Sequence, residues 1–257
     1  MAPILPPQLG HKPLLRLHID DISHPAAQVA SASLDSGLYL TRAIENVVAH
    51  LYRPYGSDNI PKYTTGLPLD DLHKEIHLSL EYVQGVLSRN SAGVRHELAG
   101  VITHEMVHCF QGNCEGTAPG GLIEGIADFV RLKAGLAPPH WNRAPENRGH
   151  DWDEGYQKTA WFLEWLEEER GHGTVSLMNE TMRRHRYDEH KFWKGIFGVS
   201  VQELWKKYKE TWEKPKQEDL VATDQTSSDT GATVEKAKTE EENKKRKDFV
   251  AWEKFVA

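Results

Sequence analysis

The residues best equipped for chemistry lie in one short run, Val101-Ile102-Thr103-His104-Glu105-Met106-Val107-His108. Val94, Leu98, Val101, Ile102 and Phe110 recur around it at helical spacing, with Ser91 as an N-cap candidate, so the run is predicted to be helical. Positions four apart on a helix are rotated by only about 40°. His104 and His108 therefore point the same way, one turn apart, and two imidazoles so placed can hold a single Zn2+ at about 2.0–2.1 Å each. Glu105 leaves the helix beside them, within reach of the proton of a water that such a metal activates. Taken alone, H-E-x-x-H also describes two histidines on a solvated helix face.

A second run follows closely, Gly121-Leu122-Ile123-Glu124-Gly125-Ile126-Ala127-Asp128. It reads as a helix ending at Gly135, with Glu124, Asp128 and Arg131 on one stripe and Leu122, Ile126, Phe129 and Val130 on a separate apolar face. An acidic stripe this close to H-E-x-x-H suits a metal site, where one carboxylate ligates and another orients a ligand histidine. Candidates for the third ligand are Glu124, Asp128 and, more remotely, Cys114. One turn separates Glu124 and Asp128 by roughly 6 Å along the axis, too far for one ion to use both comfortably. The carboxylate nearer the two histidines is expected to ligate and the farther to accept a histidine N–H. The plainer alternative for either is a pair with Arg131.

These residues need a domain to hold them. At 257 residues the chain can form one sizeable domain with an appendage. Its 39% apolar residues and eight Trp can fill a core, and 27% charged residues with a mean hydropathy of −0.61 point to a soluble protein. A net charge of −7 gives no reason to expect nucleic acid or an anionic membrane as partner. No apolar run reaches the length of a membrane span. The start, Met1-Ala2-Pro3-Ile4-Leu5-Pro6-Pro7, has neither a basic nor an apolar signal region, which makes the cytoplasm the expected location, or secretion if residues precede it. Cys109 and Cys114 are too few for a disulfide framework and read as two reduced thiols, although their spacing permits a local bridge.

Along the chain, residues 1–12 are Pro-rich and read as a flexible N-terminus. Strands are predicted at Leu14 to Ile19 and at Glu75 to Tyr82, where apolar and polar residues alternate strictly; the second could line a cleft and pair with an extended peptide. Helices are predicted from about Pro25 to Tyr52, from Trp152 to Arg170, from Thr174 to Arg184, and after the capping box Ser200-Val201-Gln202-Glu203. The aromatics of these last helices read as core. Strands and helices together give an α+β class for a domain over 13–213. Residues 214–234 read as a disordered linker and 235–257 as a charged helix, in which Lys244-Lys245-Arg246-Lys247 is a solvated charge face rather than a nuclear signal.

The G-x-x-H continuation of the metzincins is missing, since Gln111 and Cys114 stand in those places. Glu124-x-x-x-Asp128 instead resembles the gluzincin arrangement of thermolysin-like enzymes. That resemblance implies His104, His108 and Glu124 as ligands, Asp128 behind a ligand histidine, and Glu105 as general base. It also calls for a donor to the oxyanion, for which Tyr156 and His150 are candidates, Tyr156 being equally readable as a core residue.

The run from Ile76 to Trp212, just over half of the chain, resembles the plant-type basic secretory protein family, which has fungal and bacterial members. The likeness rests on Ala99-Gly100-Val101, on His104-Glu105-Met106-Val107-His108, on the block from Ala118 to Gly135, on Ala137-Pro138-Pro139-His140-Trp141 and on Gly155-Tyr156. It implies a zincin-like, gluzincin-type domain with a small mixed sheet, a Zn2+ cofactor, and peptidase-like activity on a peptide or protein. A non-catalytic zinc-containing binding or defence-type protein, or a zinc enzyme acting on a small molecule, are the alternatives. Retention of Glu105 favours catalysis, because a structural zinc needs no adjacent base. The chain departs from the family pattern in its acidity, its start and its charged tail, departures that count against secretion and a defence role but leave the metal site intact.

Overall fold

The computed structural model describes residues 19–33, 38–52, 68–70, 73–74, 76–144 and 147–212. The chain divides into two compact units, 1–209 and 210–257. Beyond Trp212 the second unit lies outside the described residues, and with it the expected linker and charged helix; so does the N-terminal stretch 1–12.

The described part of the first unit is helical. α1 (Ala27–Ser33) and α2 (Leu38–Leu51) precede a minimal antiparallel hairpin, β1 (Pro68–Asp70) with β2 (His73–Lys74). Then come α3 (Leu80–Arg89), α4 (Val94–Phe110), α5 (Gly120–Lys133), α6 (Tyr156–Arg170), α7 (Thr174–Arg184), α8 (Glu189–Phe197) and α9 (Val201–Glu210). None of the described helices is long and apolar enough to cross a membrane.

This corrects the α+β expectation. Among the described residues the only strands are those of the hairpin, so there is no small mixed sheet, and the zincin-like, gluzincin-type fold built on one is unsupported. Of the strand expected at Glu75 to Tyr82, Glu75 lies outside the described residues, and 76–82 are instead the entry to α3 and its first turn. Ser79 is its N-cap, its side chain accepting from the Tyr82 N–H at 3.2 Å, and Val83 and Val86 turn inward at helical spacing. A side-chain cap followed by buried residues three apart outweighs a short alternation. The proposed edge strand for peptide pairing goes with it. Of the strand at Leu14 to Ile19, only Ile19 is described, in no regular element.

The helix expected over Pro25 to Tyr52 is two helices, and the one expected from Trp152 begins at Tyr156. The helices over Thr174 to Arg184 and after Ser200 form as expected, Ser200 Oγ accepting from the Glu203 N–H at 3.3 Å. α8 was not foreseen; Asp188 caps its start and Gly198, at φ 78°, ends it.

α4 sits at the centre, packed against α1, α2, α3 and α5. Its buried residues, among them Leu98, Gly100, Ile102, His104, Met106 and Val107, fall on all its sides, as in a helix surrounded by protein. α5 packs on α4 along one flank and on α6 along the other. Asn179, fully buried in α7, fixes the exit from α4: its Oδ1 accepts from the Gly112 N–H at 2.8 Å, and its Nδ2 donates to Leu51 O at 3.2 Å. Tyr52 O–H donates to Phe110 O at the same place.

Candidate active site

The two motifs meet where α4 crosses α5. His104 is buried and His108 half-buried, with ring centroids 4.9 Å apart and planes at 85°. The Nε2 atoms of the two rings lie 3.2 Å from each other. Glu124 Oε2 lies 3.1 Å from His104 Nε2 and 3.8 Å from His108 Nε2. Asp128, one turn further along α5, turns its Oδ1 to the other nitrogen of His104, Nδ1, at 2.7 Å.

By nearness alone Asp128 would be the ligand, since its contact is the shortest. The identity of the nitrogen decides differently. With Asp128 Oδ1 accepting the Nδ1–H of His104, the neutral ring presents a lone pair at Nε2. That lone pair faces His108 Nε2 and the Glu124 carboxylate. A proton on either Nε2 would join these atoms by hydrogen bonds; with both Nε2 lone pairs free, the three acceptors are satisfied by a cation among them. Four bonds of about 2.0–2.1 Å to a tetrahedral centre set their donors about 3.3–3.4 Å apart. The three separations here, 3.1, 3.2 and 3.8 Å, bracket that value, so the donor set fits such an ion. His104, His108 and Glu124 each offer one ligand atom, all within 4.8 Å of one another.

The charges fit the same picture. Burial lowers the pKa of His104, but the hydrogen bond and charge of Asp128, with the charges of Glu105 and Glu124, outweigh it and leave it above the ordinary range. His108 is pushed below its usual value by burial and then by His104.

Glu105 is half-buried and lines a cleft of about 260 Å³ together with His104, Asp128 and Tyr156. Tyr156 is 54% exposed, with its ring parallel to the His104 imidazole (interplanar angle 11°, centroids 6.1 Å). The Glu124 charge, then burial and the charges of Asp128 and Glu105, raise its pKa, which keeps the phenol protonated. It is therefore not the core residue that helical periodicity allows. His150, the other donor candidate, is exposed and is not among the residues lining the cleft.

Tyr156 reaches this place through glycines. A Cβ on Gly121 would stand 1.6 Å from Asp153 O, and one on Gly125 would stand 2.2 Å from Thr159 Cγ2. Their absence lets the 153–159 segment lie directly on α5. Gly155 at φ 87° and Tyr156 at φ 49° then turn the chain into α6, and left-handed backbone at a tyrosine is a strained choice. Thr159 secures the turn, its Oγ1 accepting from the Gly155 N–H at 2.9 Å and donating to Trp152 O at 2.8 Å.

Arg131 does not pair with Glu124 or Asp128. It donates to Glu97 Oε2 at 2.9 Å and, through Nε, to Leu136 O at 3.0 Å. Cys109 and Cys114 are both buried and not joined in a disulfide, and Cys114 is not part of the donor set. Gln111, in the place where a metzincin glycine would stand, donates instead to Ile123 O at 3.3 Å and ties the α4 exit to α5.

A family model described as BSP, peptidase of plants and bacteria, matches residues 12–208. The chain belongs to that family. The match takes in α1 to α8 and most of α9, and therefore every residue of the site just described. In this BSP peptidase-family member the resemblance read from the Ala118–Gly135 block extends over most of the described structure. Neither curated proteins nor solved structures provide a significant match.

Proposed function

We propose that this protein is a zinc-dependent peptidase in which His104, His108 and Glu124 hold the metal and Glu105 is the general base. The observation that carries the reading is the convergence of His104 Nε2, His108 Nε2 and Glu124 Oε2 beside a cleft that Glu105 lines. Membership of a family of peptidases supports it independently. Zinc bound there would supply Lewis acidity, lowering the pKa of a water toward about 7 and polarising the scissile carbonyl.

The side chains do the rest. Asp128 holds His104 in the tautomer whose Nε2 lone pair faces the metal position, and its negative charge raises the basicity of that nitrogen. Glu105 accepts the proton of the attacking water and returns it to the leaving amide nitrogen, so the peptide bond breaks without free acid or base. Tyr156, protonated and stacked on His104, donates its O–H to the oxyanion that develops on the carbonyl oxygen. The substrate is a peptide or protein.

Cleavage of a peptide library by the zinc-supplemented full-length protein tests this. Glu105→Gln should keep the metal and the fold yet lower kcat about 10²–10⁴-fold. Tyr156→Phe should lower kcat with little change in metal content. An unchanged rate in Glu105→Gln would remove the general base from this reading.

A further inference from the structure

The cleft beside Glu105 extends away from the metal position, and its chemistry selects an occupant. Val101, one turn before Glu105 on α4, faces it together with Pro138, Trp141 and Tyr156. Its charged members other than Glu105 are committed elsewhere. Glu97 accepts from Tyr82 O–H at 2.8 Å and from Arg131 at 2.9 Å, and Asp128 is held by His104 at 2.7 Å. His140 and Gln157 are its remaining polar members. At about 260 Å³ it is smaller than the roughly 300–1,000 Å³ of sites for compact organic ligands. The space suits a single side chain.

The far wall is fixed. The Arg131 guanidinium lies over the Trp141 ring at 5.3 Å while its Nε holds Leu136 O, so one buried residue anchors both ends of the 136–141 loop. Gly100 makes room for it, since a Cβ there would stand 2.5 Å from Arg131 Nε. His96 Nε2 meets Ala137 O at 3.1 Å, tying the same loop to α4. Such a preformed wall, to which Pro138 and Trp141 bring apolar surface, binds at low ordering cost.

We propose that this cleft is a specificity pocket for one large apolar or aromatic side chain next to the scissile bond, an inference that rests on the peptidase reading above. Library cleavage by the zinc-loaded full-length protein should favour Phe, Tyr, Leu or Met over Ala, Asp and Lys at one position flanking the cut. Trp141→Ala should lower kcat/KM about 10–100-fold on peptides with Phe there and by less than about twofold on those with Ala. Trp141→Phe should keep the preference, which separates the pocket from a folding defect. A flat or charge-selective profile, or an equal loss on all peptides in Trp141→Ala, would overturn the pocket. A second arm needs no turnover. In Glu105→Gln, N-acetylphenylalaninamide should shift the NMR signal of the Trp141 indole N–H, and N-acetylaspartamide should not. If no peptide is cleaved the peptidase reading fails, and this arm alone decides the pocket: a selective shift upholds it and no shift overturns it.

Discussion

The α4–α5 crossing and the α6–α8–α9 end of the same helical unit are both well buried, yet different forces hold them. At the aromatic end Phe162 meets Trp205 edge-on at 5.3 Å and Tyr208 at 5.6 Å, while Trp152 meets Trp193 at 5.0 Å. These contacts are broad and largely non-directional, so their stabilisation follows the apolar area removed from water. At the crossing, His104, Asp128 and Arg131 are buried polar groups, each tied to a named partner. There the gain comes from direction, and a displacement of an ångström loses it. One end supplies stability; the other places a small number of atoms, supported by glycines that permit close approach.

Breaking the aromatic end should have the largest effect on stability and almost none on the site. Trp193 is fully buried, and Trp193→Ala should cost about 3–5 kcal/mol, read from denaturant unfolding. Zinc affinity of the folded fraction should stay at the wild-type value. A parallel loss of affinity would mean that the two ends are not separable.

At the site end, Gly121→Ala puts a methyl group into the Asp153 carbonyl, a backbone atom that cannot swing aside. It should cost about 1–3 kcal/mol and shift the start of α6. Because Tyr156 rides on that segment, kcat should fall as in Tyr156→Phe, while metal content is kept. A variant with lower Tm and unaltered kcat would detach the glycine from the positioning of Tyr156.

Asp128→Asn keeps an acceptor for His104 Nδ1–H but removes its charge. Metal affinity should fall about 10–100-fold, measured by competition with a chelator, with a much smaller change in the Tm of the metal-free protein.

The smallest effect sharpens the contrast between buried His104 and half-buried His50. His104 has its pKa raised by carboxylates, whereas burial, with Lys133 and His172 nearby, lowers His50 to about 4. His50 sits edge-on to Phe129 at 6.4 Å. A folded value below the unfolded one near 6.5 means that the unfolded chain binds more protons between the two. This stability is complete above about pH 6.5 and is lost as the pH falls toward 4, by about 1 kcal/mol at pH 5.5. His50→Gln should unfold with a shallower acid limb, and an identical limb would contradict the assignment.

The site was more legible in the sequence than the fold because its decisive relations are local. His104 with His108, and Glu124 with Asp128, need only an intact helical turn to share a face. The helices themselves announced their periods around the motifs. What failed was the strand expected at Glu75 to Tyr82, an alternation too short to distinguish a strand from a chain entering a helix at Ser79. The α+β class that it supported failed with it, and so did the small mixed sheet and zincin-like fold that the resemblance implied. The work of Gly121 and Gly125 was hidden because the atoms they make room for lie about 30 residues away in sequence, at Asp153 and Thr159. Asn179 was hidden likewise, joining the ends of α2 and α4 from α7. Its signal was a polar residue on the inward face of a predicted helix. Which nitrogen of His104 each carboxylate meets depends on how two helices cross, and spacing along one helix carries no such information.

The central claim is the metal, and zinc titration of the full-length, metal-stripped protein tests it most directly. One equivalent should bind per chain, with X-ray absorption reporting two imidazole nitrogens and carboxylate oxygen in the ligand shell. His104→Ala, His108→Ala and Glu124→Ala should each abolish tight binding, and Asp128→Asn should only weaken it. No tight zinc binding by the wild type, or full affinity in Glu124→Ala, would contradict the account.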